Sequence, residues 1–132
     1  GKFASAAIPI ICIALFMQHP IGAQAWNYSL YWLIPAIVLA LPENLLLRSL
    51  GATFSAHAIG GIIWLYLVPT TPAFWLALIP IVAFERSLFA LGISGSYFAL
   101  NTALSRVEAV AKSGLLSIDR RYVLSLAPVK KA

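Results

Sequence analysis

The sequence predicts an all-α protein, a polytopic bundle of about four transmembrane helices followed by a basic tail. Three observations predict it. Of 132 residues, 61% are hydrophobic and only 10% charged, with a mean hydropathy of +0.91; a soluble domain carries about 25% charged residues. The apolar residues gather into four stretches separated by short connectors rich in Pro, Gly and Asn. The net charge of +5 is concentrated at one end: Lys112, Arg120, Arg121, Lys130 and Lys131 all follow the last apolar run, with Arg106 at its margin.

The first segment, residues 3–18, is short for a span of about 20 residues, and Pro9 is expected to kink it. Lys2, the run 3–17 and Ala23-Gln24-Ala25 also imitate a signal peptide with its cleavage site. Pro9 and the aromatic cluster that follows suit a retained helix equally well. The connector 18–25 contains Pro20 and Gly22, expected to break the helix. Segment two, 26–41, opens with Trp26, Tyr28, Tyr31 and Trp32, residues expected at a membrane–water interface, and Pro42 ends it. Segment three, 45–68, closes on Trp64 and Tyr66. Segment four, 73–97, begins with Phe74 and Trp75 at the same level. Beyond Tyr97 the pattern becomes amphipathic, so the fourth helix is expected to continue to about 113, with Gly114 as its C-cap. The division is thus a transmembrane domain over 1–113 and a basic tail over 114–132, with a short strand expected around 122–126.

Orientation follows from the loops. Lys2, Arg48 and the C-terminal cluster fall on one side, while connectors 18–27 and 68–73 contain no Lys or Arg. The positive-inside rule then places both termini in the cytoplasm of a multi-pass cell-membrane protein, with both aromatic girdles on the outer face. The lipid bilayer is the first partner this implies. Nothing interleaves aromatics with the basic tail, so nucleic acid is not expected.

The chemistry concentrates in the hairpin of segments three and four. His57 lies fourteen residues before Thr71, at the centre of the turn, and Glu85 fourteen after it. Antiparallel helices rising about 1.5 Å per residue bring these two to similar depth, where ionisable groups are costly and usually functional. Ala52, Ala56 and Gly60 form a small-residue stripe beside Thr53, His57, Gly61 and Trp64. Glu85, Leu88, Gly92, Gly95, Ser96 and Ala99 share a face of the fourth segment. Such stripes let helix backbones approach closely, so the two faces are expected to meet. Arg86 is about 100° from Glu85 around the helix and needs another acceptor, such as a backbone carbonyl freed by Pro80 or Pro35, a bound anion or a further subunit. Lining a cavity, Glu85 and Arg86 could receive a zwitterionic or carboxylated solute. Two readings of the seam stand side by side, a packing contact with one satisfied polar pair and a solute or proton site. The site residues are His57, Glu85 and Arg86, with Thr53, Trp64 and Ser96 as lining.

The remaining motifs are blander. Cys12 is a lone cysteine within an apolar run and reads as a small buried hydrophobe. His19 reads as a cap in a turn. As a haem pair, His19 and His57 are at different depths, and neither has neighbours at metal-ligand spacing. No nucleophile elbow, HExxH or phosphate loop occurs, so neither enzyme activity, metal nor cofactor is expected.

Ser29–Pro35, Ala52–Gly61 and the Ile-Pro-Ile-Val-Ala-Phe-Glu-Arg-Ser-Leu-Phe-Ala run from Ile79 resemble small prokaryotic, archaeal-type polytopic membrane proteins. The helix from Pro80 to Arg86 is loosely similar to the last helix of substrate-capture subunits of energy-coupling-factor transporters. That resemblance implies a compact bundle of short spans and a role in uptake; those subunits usually have six spans, against four here. The expectation is a small-solute or ion uptake component, partnered by other membrane subunits. The alternatives are a non-catalytic accessory subunit and a haem-binding redox subunit.

Overall fold

A computed structural model describes residues 2–107, 112–114 and 116–125. All regular structure among them is helical, and the chain divides into two compact units, Gly1–Leu91 and Gly92–Ala132. Two helices, Leu45–Leu67 and Pro72–Ser105, are long and apolar enough to cross a membrane.

In the first unit, α1 (Lys2–Gln18) runs through Pro9, whose ring is fully buried. The connector expected to be broken is instead a short helix, α2 (Pro20–Gln24). Pro20 occupies its first turn, where no amide hydrogen is needed, and His19 Nδ1 accepts the Ile21 N–H at 3.3 Å, the capping role expected of it. Gly22 does not interrupt this helix. It allows close passage, because a Cβ there would collide with the Phe16 carbonyl.

Segment two differs from the single α-helix expected. Trp26–Leu33 winds as a 3-10 helix and passes into α3 (Ile34–Ala40), with Pro35 in its first turn. Its aromatics form the core, not an interfacial belt. Tyr28 and Trp32 are wholly buried, and only Trp26 of the opening four is half-exposed. Phe16 lies edge-on to both Trp32 and Trp75, each at 5.2 Å between ring centres, and Tyr28 meets Trp75 at 5.0 Å. Edge-to-face pairs of this kind add to the burial of the rings themselves.

Asn44 caps α4 (Leu45–Leu67), its Oδ1 accepting the N–H groups of Leu46 at 2.8 Å and Leu47 at 3.3 Å. The buried stripe of α4 is Gly51, Phe54, Ala58, Gly61 and Leu65, at the three- and four-residue spacing of one helix face. It packs on α1, α3 and the 3-10 segment. The small-residue stripe that allows close approach is therefore adjacent to the expected one: Ala52, Ala56 and Gly60 are exposed. Gly61 abuts the Trp32 ring, Gly51 faces Val38 and Pro35, and nothing lies near Gly60, Gly92 or Gly95.

The turn into α5 (Pro72–Ser105) is held by Thr71 Oγ1, which accepts the Phe74 N–H at 3.3 Å, and by Trp75 Nε1 donating to Thr70 Oγ1 at 2.9 Å. Large side chains, not glycines, tie α5 into the first unit. Trp75 and Val82 enter the core, and the Tyr31 hydroxyl donates to the Ile79 carbonyl at 2.8 Å. Likewise the Tyr66 hydroxyl donates to the Leu15 carbonyl at 2.8 Å, linking the end of α4 to α1.

In the second unit, α5 ends at Ser105, and residues 108–111 of its expected extension lie outside the described set. Gly114 follows helical residues 112–113 with φ of 65°, in the left-handed region that glycine tolerates. Where a strand was expected to begin near Tyr122 there is a 3-10 turn, Arg120–Tyr122. Asp119 fixes it, accepting the backbone N–H of Arg121 at 3.1 Å and pairing with its guanidinium at 2.7 Å. Residues 126–132 lie outside the described set. Tyr122 packs edge-on against Tyr97, and the Leu124 N–H donates to Thr102 Oγ1 at 3.1 Å, so this part of the tail is folded against α5.

Candidate solute-binding site

A cavity of about 400 Å³ in the first unit is lined by Tyr28, Ala56, His57, Gly60, Gly61, Trp64, Phe74, Trp75, Leu78 and Arg86. This lies within the range of small-ligand pockets, about 300–1,000 Å³. α4 contributes His57, Gly60, Gly61 and Trp64 on successive turns, and α5 contributes Phe74, Trp75, Leu78 and Arg86. Gly60, beside which nothing lies within 4 Å, leaves the α4 side open where a larger residue would stand. The walls are chiefly aromatic, and the polar groups are few: an imidazole, a phenol and a guanidinium.

His57 and Tyr28 form a pair, Nε2 to hydroxyl at 2.7 Å. Two hydrogens belong to a neutral imidazole and a phenol together, and one of them occupies this bond. If Tyr28 donates, the other is on His57 Nδ1. If His57 donates, the Tyr28 hydroxyl hydrogen is free to reach another acceptor.

Arg86 is held less completely. Nη1 donates to Thr53 Oγ1 at 3.3 Å, Nη2 lies 3.6 Å from Glu85 Oε2, and the guanidinium carbon sits 4.6 Å above the Phe89 ring. Nε is buried and makes no hydrogen bond. The arginine side chain is 19% exposed, that of Glu85 50%.

Of the six residues singled out from the sequence, His57, Trp64 and Arg86 line this cavity, and Thr53 supports Arg86 from behind. The expected contact between His57 and Glu85 is not formed. The inward stripe of α5 runs through buried Trp75, Val82 and Ala90 and partly buried Ile79 and Arg86, which turns Glu85 outward with Ile81 and Leu88. The acceptor Arg86 needed is the Thr53 hydroxyl; the carbonyl beside Pro80 receives Tyr31 instead. Ser96 belongs to the second unit and is exposed.

Tyr28 is the site residue that sequence reasoning missed. A lone histidine in an apolar helix demands a polar partner, but among five tyrosines nothing in the spacing separates a core phenol from an interfacial one.

A larger cavity, about 510 Å³, lies among α1, α3 and α4 and contains none of the six residues. Its charged residues, Glu43 and Arg48, are exposed, so its volume is not matched by converging buried polar groups. Among the described residues no cluster of three or more His, Cys, Asp or Glu could hold a metal ion. No protein-family model, curated protein or solved structure matches this chain.

Proposed function

We propose that this chain is a four-span membrane protein with both termini in the cytoplasm, serving as the solute- or ion-binding component of an uptake system. The observation that carries the reading is the incompletely bonded Arg86 guanidinium at an aromatic-walled cavity. A cation held at a helix surface of this apolarity is expensive to maintain unless something uses it. The Tyr28–His57 pair supplies a second polar contact in the lining, so a bound molecule would be held at two polar points. The protein acts without catalysis, as a binding and passage element among partner subunits.

Release of small molecules on denaturing the purified protein tests this. Wild-type protein should yield a solute in near-stoichiometric amount by mass spectrometry, and His57→Ala and Trp64→Ala should lose most of it while remaining monodisperse. Protein that carries no solute, with His57→Ala merely losing a co-purifying subunit, would favour an accessory role instead. That second reading draws on the exposed apolar side of α5, where Ile81, Phe84, Leu88, Phe89 and Leu91 are each more than half exposed. Such a side suits lipid or a partner helix.

A further inference from the structure

We infer that the ligand of this cavity is a monoanion, a carboxylate joined to a flat apolar body; this rests on the binding role proposed above and specifies its chemistry. Among the residues lining the cavity the sole formal charge is that of Arg86. No carboxylate lines it, since Glu85 faces outward and is half-exposed, so the ammonium group of a zwitterion has no counter-charge there. A cationic solute would meet the guanidinium among mostly apolar walls, where like charges repel. The Tyr28–His57 pair adds neutral hydrogen bonding only.

The free edge of Arg86 selects further. Thr53 occupies Nη1, which leaves the edge formed by Nε and Nη2, the side-on fork that fits the two oxygens of a carboxylate. Nε is covered and unbonded as the side chain now lies, and Nη2 has only the long 3.6 Å approach to Glu85. A carboxylate entering from the cavity draws the guanidinium off Glu85 and gives both atoms an acceptor. Glu85 is then a competitor for the arginine and not a ligand of the solute. Trp64, Phe74 and Trp75 supply flat walls for the apolar body.

Three probes of one shape test the assignment: 2-naphthoate, 2-naphthamide and 2-naphthylmethylamine, titrated calorimetrically into purified protein and corrected against protein-free micelles. The naphthoate should bind at least tenfold tighter than the amide, and the amine should not bind. Arg86→Gln should erase that preference, Arg86→Lys should keep part of it, and Glu85→Gln, which leaves the arginine in place, should tighten naphthoate binding about threefold. Amide or amine binding as tight as the acid, or naphthoate weakened by Glu85→Gln, would overturn the anion assignment while leaving the cavity as a binding site. If no probe binds and Trp64→Ala changes nothing, the cavity reading falls with it.

Discussion

Two adjacent glycines illustrate how residue identity and environment combine. A Cβ on Gly61 would lie 2.8 Å from Cζ2 of Trp32. Trp32 is wholly buried and held by Phe16 and Tyr28, so it has nowhere to move. One position earlier, Gly60 meets nothing. Gly61→Ala should therefore destabilise by about 1–3 kcal/mol, the usual cost of overpacking. Gly60→Ala should be neutral or stabilising by up to about 1 kcal/mol, since glycine weakens a helix interior. Unfolding midpoints in detergent would distinguish the two, and equal effects would contradict the packing described. The sequence pattern places Gly60 on the close-packing stripe and Gly61 beside it, and the fold reverses the two. The reason is general to such helices: with apolar residues all round, periodicity no longer reports which face is inside. The same ambiguity turned Glu85 inward in expectation, whereas the fold turns Arg86 inward.

At the scale of the element, what was legible was where α4 and α5 begin. α4 and α5 start within a residue of the expected positions, where Asn44, Thr71 and Pro72 are local signals that act through their own backbone neighbours. Asn44→Ala removes two acceptor contacts at the start of α4 and should cost about 1 kcal/mol, read as a lowered unfolding midpoint; no change would mean that the cap is replaced by solvent. What was not legible was helix type. Trp26–Leu33 has the composition of an interfacial α-helix, but its rings pack inward on Phe16, Phe54 and Trp75, and tertiary packing outweighs a propensity that is weak to begin with. The His57 partner was hidden for the same reason, since Tyr28 belongs to this inward-packed segment.

For the whole molecule, the arrangement of spans is the level at which proposal and structure can be joined experimentally. Cys12 is buried, so the native thiol should stay silent toward a membrane-impermeant maleimide. Against that background, a cysteine in place of Thr70 should label on intact cells, and one in place of Glu43 only after permeabilisation. Labelling of both positions from the same side would mean that α4 does not cross. Composition, with 10% charged residues, pointed to long apolar helices, and two helices long and apolar enough to cross a membrane are present among the described residues. The assembly of the hairpin with segment two was not readable, since it depends on a phenol, a ring and a carbonyl meeting across distant parts of the chain.

The 3-10 winding of Trp26–Leu33 also bears on reach. A 3-10 helix rises about 2.0 Å per residue against about 1.5 Å in an α-helix. Trp26 to Ala40, eight residues of one kind followed by seven of the other, extends about 26 Å if run straight, where the same residues as α-helix would extend about 22 Å. In the four-span reading proposed above, with hydrocarbon about 30 Å thick, that difference halves the segment's shortfall. The winding of the segment whose Tyr28 hydroxyl meets His57 thus also sets its length.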